Sequence, residues 1–186
     1  GPGFLLGICG GAVFTSPRAG AALYLIHAAS ALFTGILLTR RLPPLSAPFS
    51  AGAAPRRSVS LSAALPAAVQ GALAGILNVC AFVVFFTVCT RLLLRVLPES
   101  FAFSLPCALL IGFFELTSGV TALPPTRAGF LACAALLAWG GLSVHCQTLS
   151  ALSASALSAR YYLRAKAAQA LLSVILSLPA LPFLFP

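Results

Sequence analysis

Several stretches of this chain run for about twenty residues or more without a charged side chain: Ala19 to Thr39, Ser58 to Thr90, Ala128 to Ala159 and Ala167 to Pro186. A transmembrane helix needs roughly 20 predominantly apolar residues. Hydrocarbon offers the backbone no water, so only helices and closed barrels cross it. A barrel would show short segments of alternating polarity, and these are absent. The sequence therefore predicts an all-α polytopic membrane protein, with about five to six transmembrane or half-membrane helices. Composition agrees: 7% of residues are charged, against about 25% in soluble domains, and the mean hydropathy is +1.06.

The net charge of +9 comes from eleven Lys and Arg set against only Glu99 and Glu115. In a soluble chain that balance would point to nucleic acid. Here the basic residues flank the apolar runs, as they do in cytoplasmic loops, and anionic lipid is a sufficient partner. The chain has no Met, opens on Gly1-Pro2-Gly3 and lacks a basic leader. A signal peptide is not expected; a fragment of one transmembrane domain spanning 1–186, its N-terminal half missing, is. The six cysteines form no Cys-x-x-Cys pair, lie in apolar runs and read as small packing residues.

Gly3 to Phe14 is too short to span and suits a half-helix. Thr15-Ser16-Pro17-Arg18 has a Ser cap and a Pro at the first helical position. Ala19 to Thr39 is a spanning helix with Tyr24 and His27 as its polar exceptions. Residues 40–60 form a basic, Pro-rich loop with Arg40, Arg41, Arg56 and Arg57, on the cytoplasmic side. Leu61 to Leu97 is a helix that overshoots the bilayer, with Pro66 marking its first turn. Asn78 sits near its middle. Arg91, Arg95 and Glu99 share a face if the helix passes Pro98. Phe101 to Phe114 and Ala128 to Trp139 are half-length runs. Leu142 to Ala159 continues apolar and is rich in serine. Arg160, Tyr161, Tyr162, Arg164 and Lys166 form an interfacial belt, and Pro179 and Pro182 kink the last helix.

Charge counting separates two topologies. With 40–60 inside and Phe101 to Leu123 as a re-entrant hairpin, seven basic residues fall inside and four (Arg18, Arg91, Arg95, Arg127) outside. A straight crossing gives five inside and six outside. The positive-inside rule favours the hairpin.

Two polar breaks interrupt the apolar runs. The first is Gly112-Phe-Phe-Glu-Leu-Thr-Ser-Gly119. A mid-bilayer carboxylate costs at least a few kcal/mol and is kept where it faces a cavity, a cation or a proton. Glu115, Thr117 and Ser118 are therefore candidates for binding a solute, or a coupling Na⁺ or H⁺; a Glu that merely caps a short loop is the plainer reading. The second break is Gly140-Gly141-Leu-Ser143-Val-His145-Cys-Gln147. Its glycines loosen the helix, and the next helix N-terminus suits an anionic group. Gly140, Gly141, Ser143, His145 and Gln147 are the candidates there; close helix packing is the plainer reading. Two Gly-interrupted segments are the pattern of transporter sites. There is no Asp, no phosphate loop, no Gly-x-Ser-x-Gly and no metal-ligand spacing, so no enzyme, metal or other cofactor is expected.

The Glu115-Leu-Thr-Ser-Gly119 stretch, Gly140-Gly-Leu-Ser-Val-His-Cys-Gln147 and Tyr162-Leu-x-x-Lys166 together resemble the C-terminal half of the sporulation integral membrane protein YlbJ (SpoVV) family. The opening Gly1-Pro2-x-Phe4 and Pro17-Arg18-x-Gly20 are similar to a further stretch of it. That family carries the nucleoside-transporter/FeoB-type Gate domain. The resemblance implies one half of a carrier similar to concentrative nucleoside transporters, in a bacterial or outer forespore membrane. It implies a small anionic solute, with dipicolinate export into the forespore as the leading example, and a site of which this piece holds about half, the missing half of the same protein supplying the rest; the lipid bilayer and a homo-oligomer are the other partners expected. A nucleoside-type permease and a non-transporting membrane scaffold are the alternatives.

Overall fold

A computed structural model describes residues 1–40, 60–152 and 158–185. Among them every regular element is helical. A ten-residue π-helix, Phe4–Val13, comes first. It is followed by α1 (Pro17–Thr39), α2 (Leu61–Val96), α3 (Glu99–Ala102), α4 (Leu105–Phe114), α5 (Leu116–Thr121), α6 (Arg127–Trp139), α7 (Gly141–Leu152), α8 (Ala159–Ser177), a 3₁₀ turn (Leu178–Ala180) and α9 (Leu181–Leu184). Four stretches are long and apolar enough to cross a membrane: Pro17–Thr39, Leu61–Val96, Arg127–Leu152 and Ala159–Leu184. The 40–60 loop, save Arg40 and Ser60, lies outside the described residues, as do Ser153 and Ser155 of the serine-rich stretch.

The polarity of the molecule is inverted relative to a soluble domain. Leu65, Ile76, Val84, Phe85 and Leu171 are exposed, while Ser30, Thr34, Glu115, Ser143, His145, Gln169, Ser173 and Ser177 are buried. Large exposed apolar surface of this extent needs lipid or a partner to cover it, and polar groups inside a membrane protein face inward.

Local chemistry starts the helices. Ser16, Ser104 and Thr126 sit in extended conformation, and their hydroxyls accept from the N–H groups of Ala19, Cys107 and Gly129. Each satisfies one of the donors that a helix start leaves free. Pro17 then fits the first helical position. Thr126→Ala is expected to destabilise by about 1 kcal/mol, read as a shift in reversible unfolding in mixed micelles; an unchanged midpoint would show that α6 does not depend on this cap.

Several expectations are corrected. The opening piece is π-helical, closed by Phe14 N–H donating to the Cys9 carbonyl at 2.9 Å. Pro66 lies inside α2 and does not mark its first turn. Leu97 and Pro98 are extended, so Arg91 and Arg95 do not share a continuous helix with Glu99. The Arg160 to Lys166 belt forms the first turns of α8, which begins at Ala159. At Pro179, where a kink is expected, the winding changes to the 3₁₀ turn before α9. Cys9, Cys107 and Cys133 are fully buried packing residues, whereas Cys80 is exposed.

The core gathers on Arg127–Leu152, the most buried of the four long stretches. Phe130 is fully buried and meets Phe14 edge-on at 5.6 Å and Phe185 at 5.8 Å. The Arg127 guanidinium donates to the Phe185 carbonyl from two nitrogens. These contacts bring the end of the π-helix, the start of α6 and the C-terminal tail together. Nearby, a Cβ on Gly10 would stand 2.8 Å from the Cα of Gly20, so the π-helix and α1 touch backbone to backbone.

Candidate functional site

The first break is a tight helical hairpin. Glu115 leaves the helical conformation (φ −136, ψ 113) between α4 and α5. Helix α5 then folds back along α4 so closely that a Cβ on Gly119 would fall on the backbone of Gly112. The turn frees the first N–H groups of α5 in an apolar setting, and Glu115 takes them. One carboxylate oxygen accepts from Thr117 N–H at 2.9 Å, the other from Ser118 N–H at 2.7 Å. Glu115 is only 3% exposed. It is a bidentate N-cap whose charge also suits the positive end of the helix. Each oxygen keeps a lone pair for a cation, a proton or a donor. Thr117 is exposed and Ser118 half-buried, so the hairpin turns these candidates away from Glu115's buried side.

The second break is left-handed. Gly140 (φ +98) closes α6, its N–H donating to the Leu136 carbonyl, and Gly141 (φ +76) opens α7. L side chains rarely adopt these angles, so both glycines are conformationally required. Gly141 is also needed for space: a Cβ there would lie 3.0 Å from the Gly112 carbonyl oxygen and 3.1 Å from Leu116 N. The two breaks, more than twenty residues apart in sequence, are therefore in direct contact. That contact is the central feature of the site.

Polar groups line the far side of the Gly140 turn. Ser143 is 1% exposed and accepts from Gln147 Nε2 at 3.2 Å, so these two candidates satisfy each other. His145 is 2% exposed, and its Nδ1 lies 3.0 Å from the Tyr162 hydroxyl. Its ring meets Trp139 edge-on at 4.4 Å, and Trp139 stacks on Phe113 at 5.8 Å. Phe113 precedes the first break and Trp139 the second, so an aromatic file runs from one break to the other and on to α8. Lys166 reaches the same place. A Cβ on Gly140 would lie 4.0 Å from its Cε, and its ammonium donates to Gln169 Oε1 at 3.1 Å.

The structure thus sets Gly141 against the Gly112 to Leu116 stretch that carries Glu115, with Gly140 beside it and Ser143, His145 and Gln147 following in α7. Sequence reasoning did not place Trp139, Tyr162 and Lys166 in the site. Two signals were available: Trp139 is the only tryptophan and abuts the glycine pair, and Lys166 is the only lysine. Among the described residues no group of three or more His, Cys, Asp or Glu is placed to hold a metal ion. A groove of about 290 Å³ lies elsewhere, lined by Thr34, Leu37 and Leu38 of α1 and by Ala168, Leu171, Leu172 and Ile175 of α8. The chain matches no protein-family model, no curated protein and no solved structure.

Proposed function

We propose that this chain is part of a secondary membrane carrier for a small anionic solute, its site built where the two helix breaks meet. One observation carries the reading. Two discontinuities in membrane-length apolar helices touch, and each is followed or formed by a buried polar residue, Glu115 at the first and His145 after the second. Broken helices at a site are the usual means by which carriers present helix ends to a solute. The α4–α5 hairpin is the re-entrant element of this carrier, and Glu115 binds the coupling H⁺ or Na⁺ or a polar group of the solute. Resemblance to the YlbJ family makes dipicolinate the first solute to test, and supports a bacterial cell membrane or outer forespore membrane as the location. A second reading has its own support. Glu115 already caps α5, and Gly112, Gly119 and Gly141 pack backbone on backbone, which also suits a rigid scaffold.

Uptake into proteoliposomes by the full-length form of the protein separates the two. A carrier is expected to accumulate dipicolinate under an ion gradient and to lose most of that uptake in Glu115→Gln. Uptake of dipicolinate, nucleosides and other small carboxylates no faster than in empty liposomes, under every gradient, would overturn the carrier in favour of the scaffold.

A further inference from the structure

Three nitrogens beside the α6–α7 break lack the partners their surroundings demand. His145 Nε2 and Trp139 Nε1 are shut off from solvent and have no hydrogen-bond partner among the described residues. An orphaned buried polar atom is costly, and two on rings whose centroids lie 4.4 Å apart are unusual. The third is the Lys166 ammonium. Among the described residues its hydrogen-bond partner is a neutral amide oxygen, and neither Glu99 nor Glu115 pairs with it. A half-buried ammonium without a counter-charge beside it is expensive. The start of α7, at Gly141, adds the positive end of a helix to the same place. Lys166, the Trp139 Nε1–H and the helix end all favour negative charge. His145 joins them when its Nε2 carries the hydrogen, which follows if the Tyr162 hydroxyl donates to Nδ1.

We propose that Lys166, Trp139 and His145 form a receptor for a carboxylate, and that this is where the carrier holds the anionic end of its solute. The inference rests on the carrier reading above and assigns its charged contact to α6–α8, away from Glu115. The carboxylate accepts from Lys166 Nζ and Trp139 Nε1–H, and His145 supplies a third donor. Entry requires the Gly140–Gly141 turn to swing open, since both ring nitrogens are enclosed in the conformation seen here.

Trp139 is the only tryptophan of the chain, so its emission reports this site alone. The protein in neutral phosphatidylcholine nanodiscs is titrated with acetate and with pyridine-2,6-dicarboxylate, their methyl esters serving as controls. The acids are expected to change Trp139 emission saturably and the esters are not. Lys166→Gln is expected to weaken the response roughly tenfold or more, as loss of a charged hydrogen bond does, and Lys166→Arg to restore much of it. Circular dichroism of the variants checks the fold, and a misfolded Lys166→Gln is replaced by His145→Gln, expected to weaken binding by a smaller factor. No saturable change, an equal change with the esters, or full affinity in folded Lys166→Gln would overturn the site. An emission change produced by anionic phosphatidylglycerol and not by free carboxylate would also overturn it, because lipid would then be the anion. Lys166-dependent binding without uptake would leave the receptor standing and remove the carrier. Glu115-dependent uptake of a solute that leaves Trp139 emission unchanged would do the reverse.

Discussion

Alanine at Gly119 is expected to destabilise the protein by about 3 kcal/mol or more. The added methyl would fall on the Gly112 backbone and also stand 3.0 Å from the Ala108 carbonyl oxygen. A flexible side chain could yield to it, but two helix backbones held by their own hydrogen bonds cannot. The hairpin must therefore splay, which would also uncover Glu115 and lift the Gly112 carbonyl from Gly141. Gly75 supplies the contrast. It lies on α2 with nothing near its Cβ position, and alanine there is expected to be neutral or to stabilise by up to about 1 kcal/mol through helix propensity. Reversible unfolding of both variants in mixed micelles makes the comparison. If Gly119→Ala unfolds with the Gly75→Ala midpoint, α5 does not lie against α4.

Removing the Glu115 carboxylate is the second large effect. Glu115→Ala leaves the N–H groups of Thr117 and Ser118 without their acceptor at a buried turn. The cost of a lost cap and of stranded donors adds to about 2–4 kcal/mol. Glu115→Asp keeps an acceptor of the preferred N-cap type and is expected to recover most of that stability. Such rescue separates the two roles of the residue. A cap tolerates the shorter acid, whereas a group placed to bind an ion or a solute does not tolerate displacement by a methylene length. Stable Glu115→Asp protein with lost uptake assigns Glu115 to the site; stable protein with full uptake makes it a cap alone. If Glu115→Ala is as stable as the parent, the capping role does not hold.

Much of the framework was legible. The Ser16-Pro17 start of α1, the overshooting length of α2, the change of winding at Pro179 and the two polar breaks are written in local composition, because capping, proline geometry and apolar run length act within a few residues. Ser104 and Thr126 carried the same capping signal as Ser16 and were equally readable. The π-helical winding of Phe4–Val13 was not. Nor does any local rule specify that α8 would begin before its basic belt.

The sequence alone determined that the chain is helical and membrane-embedded, and that it is broken at Glu115 and at Gly140–Gly141. Hydrocarbon penalises every unpaired backbone group, and few residue types tolerate the exceptions. Only the tertiary structure decided that the breaks meet, that Glu115 spends its carboxylate on α5, and that Trp139, His145, Tyr162 and Lys166 share one place. Those pairings depend on which backbones fit together, and glycine makes close approach feasible without naming the partner. Gly112, Gly119 and Gly141 in the sequence say that something comes near; the fold says that it is one another.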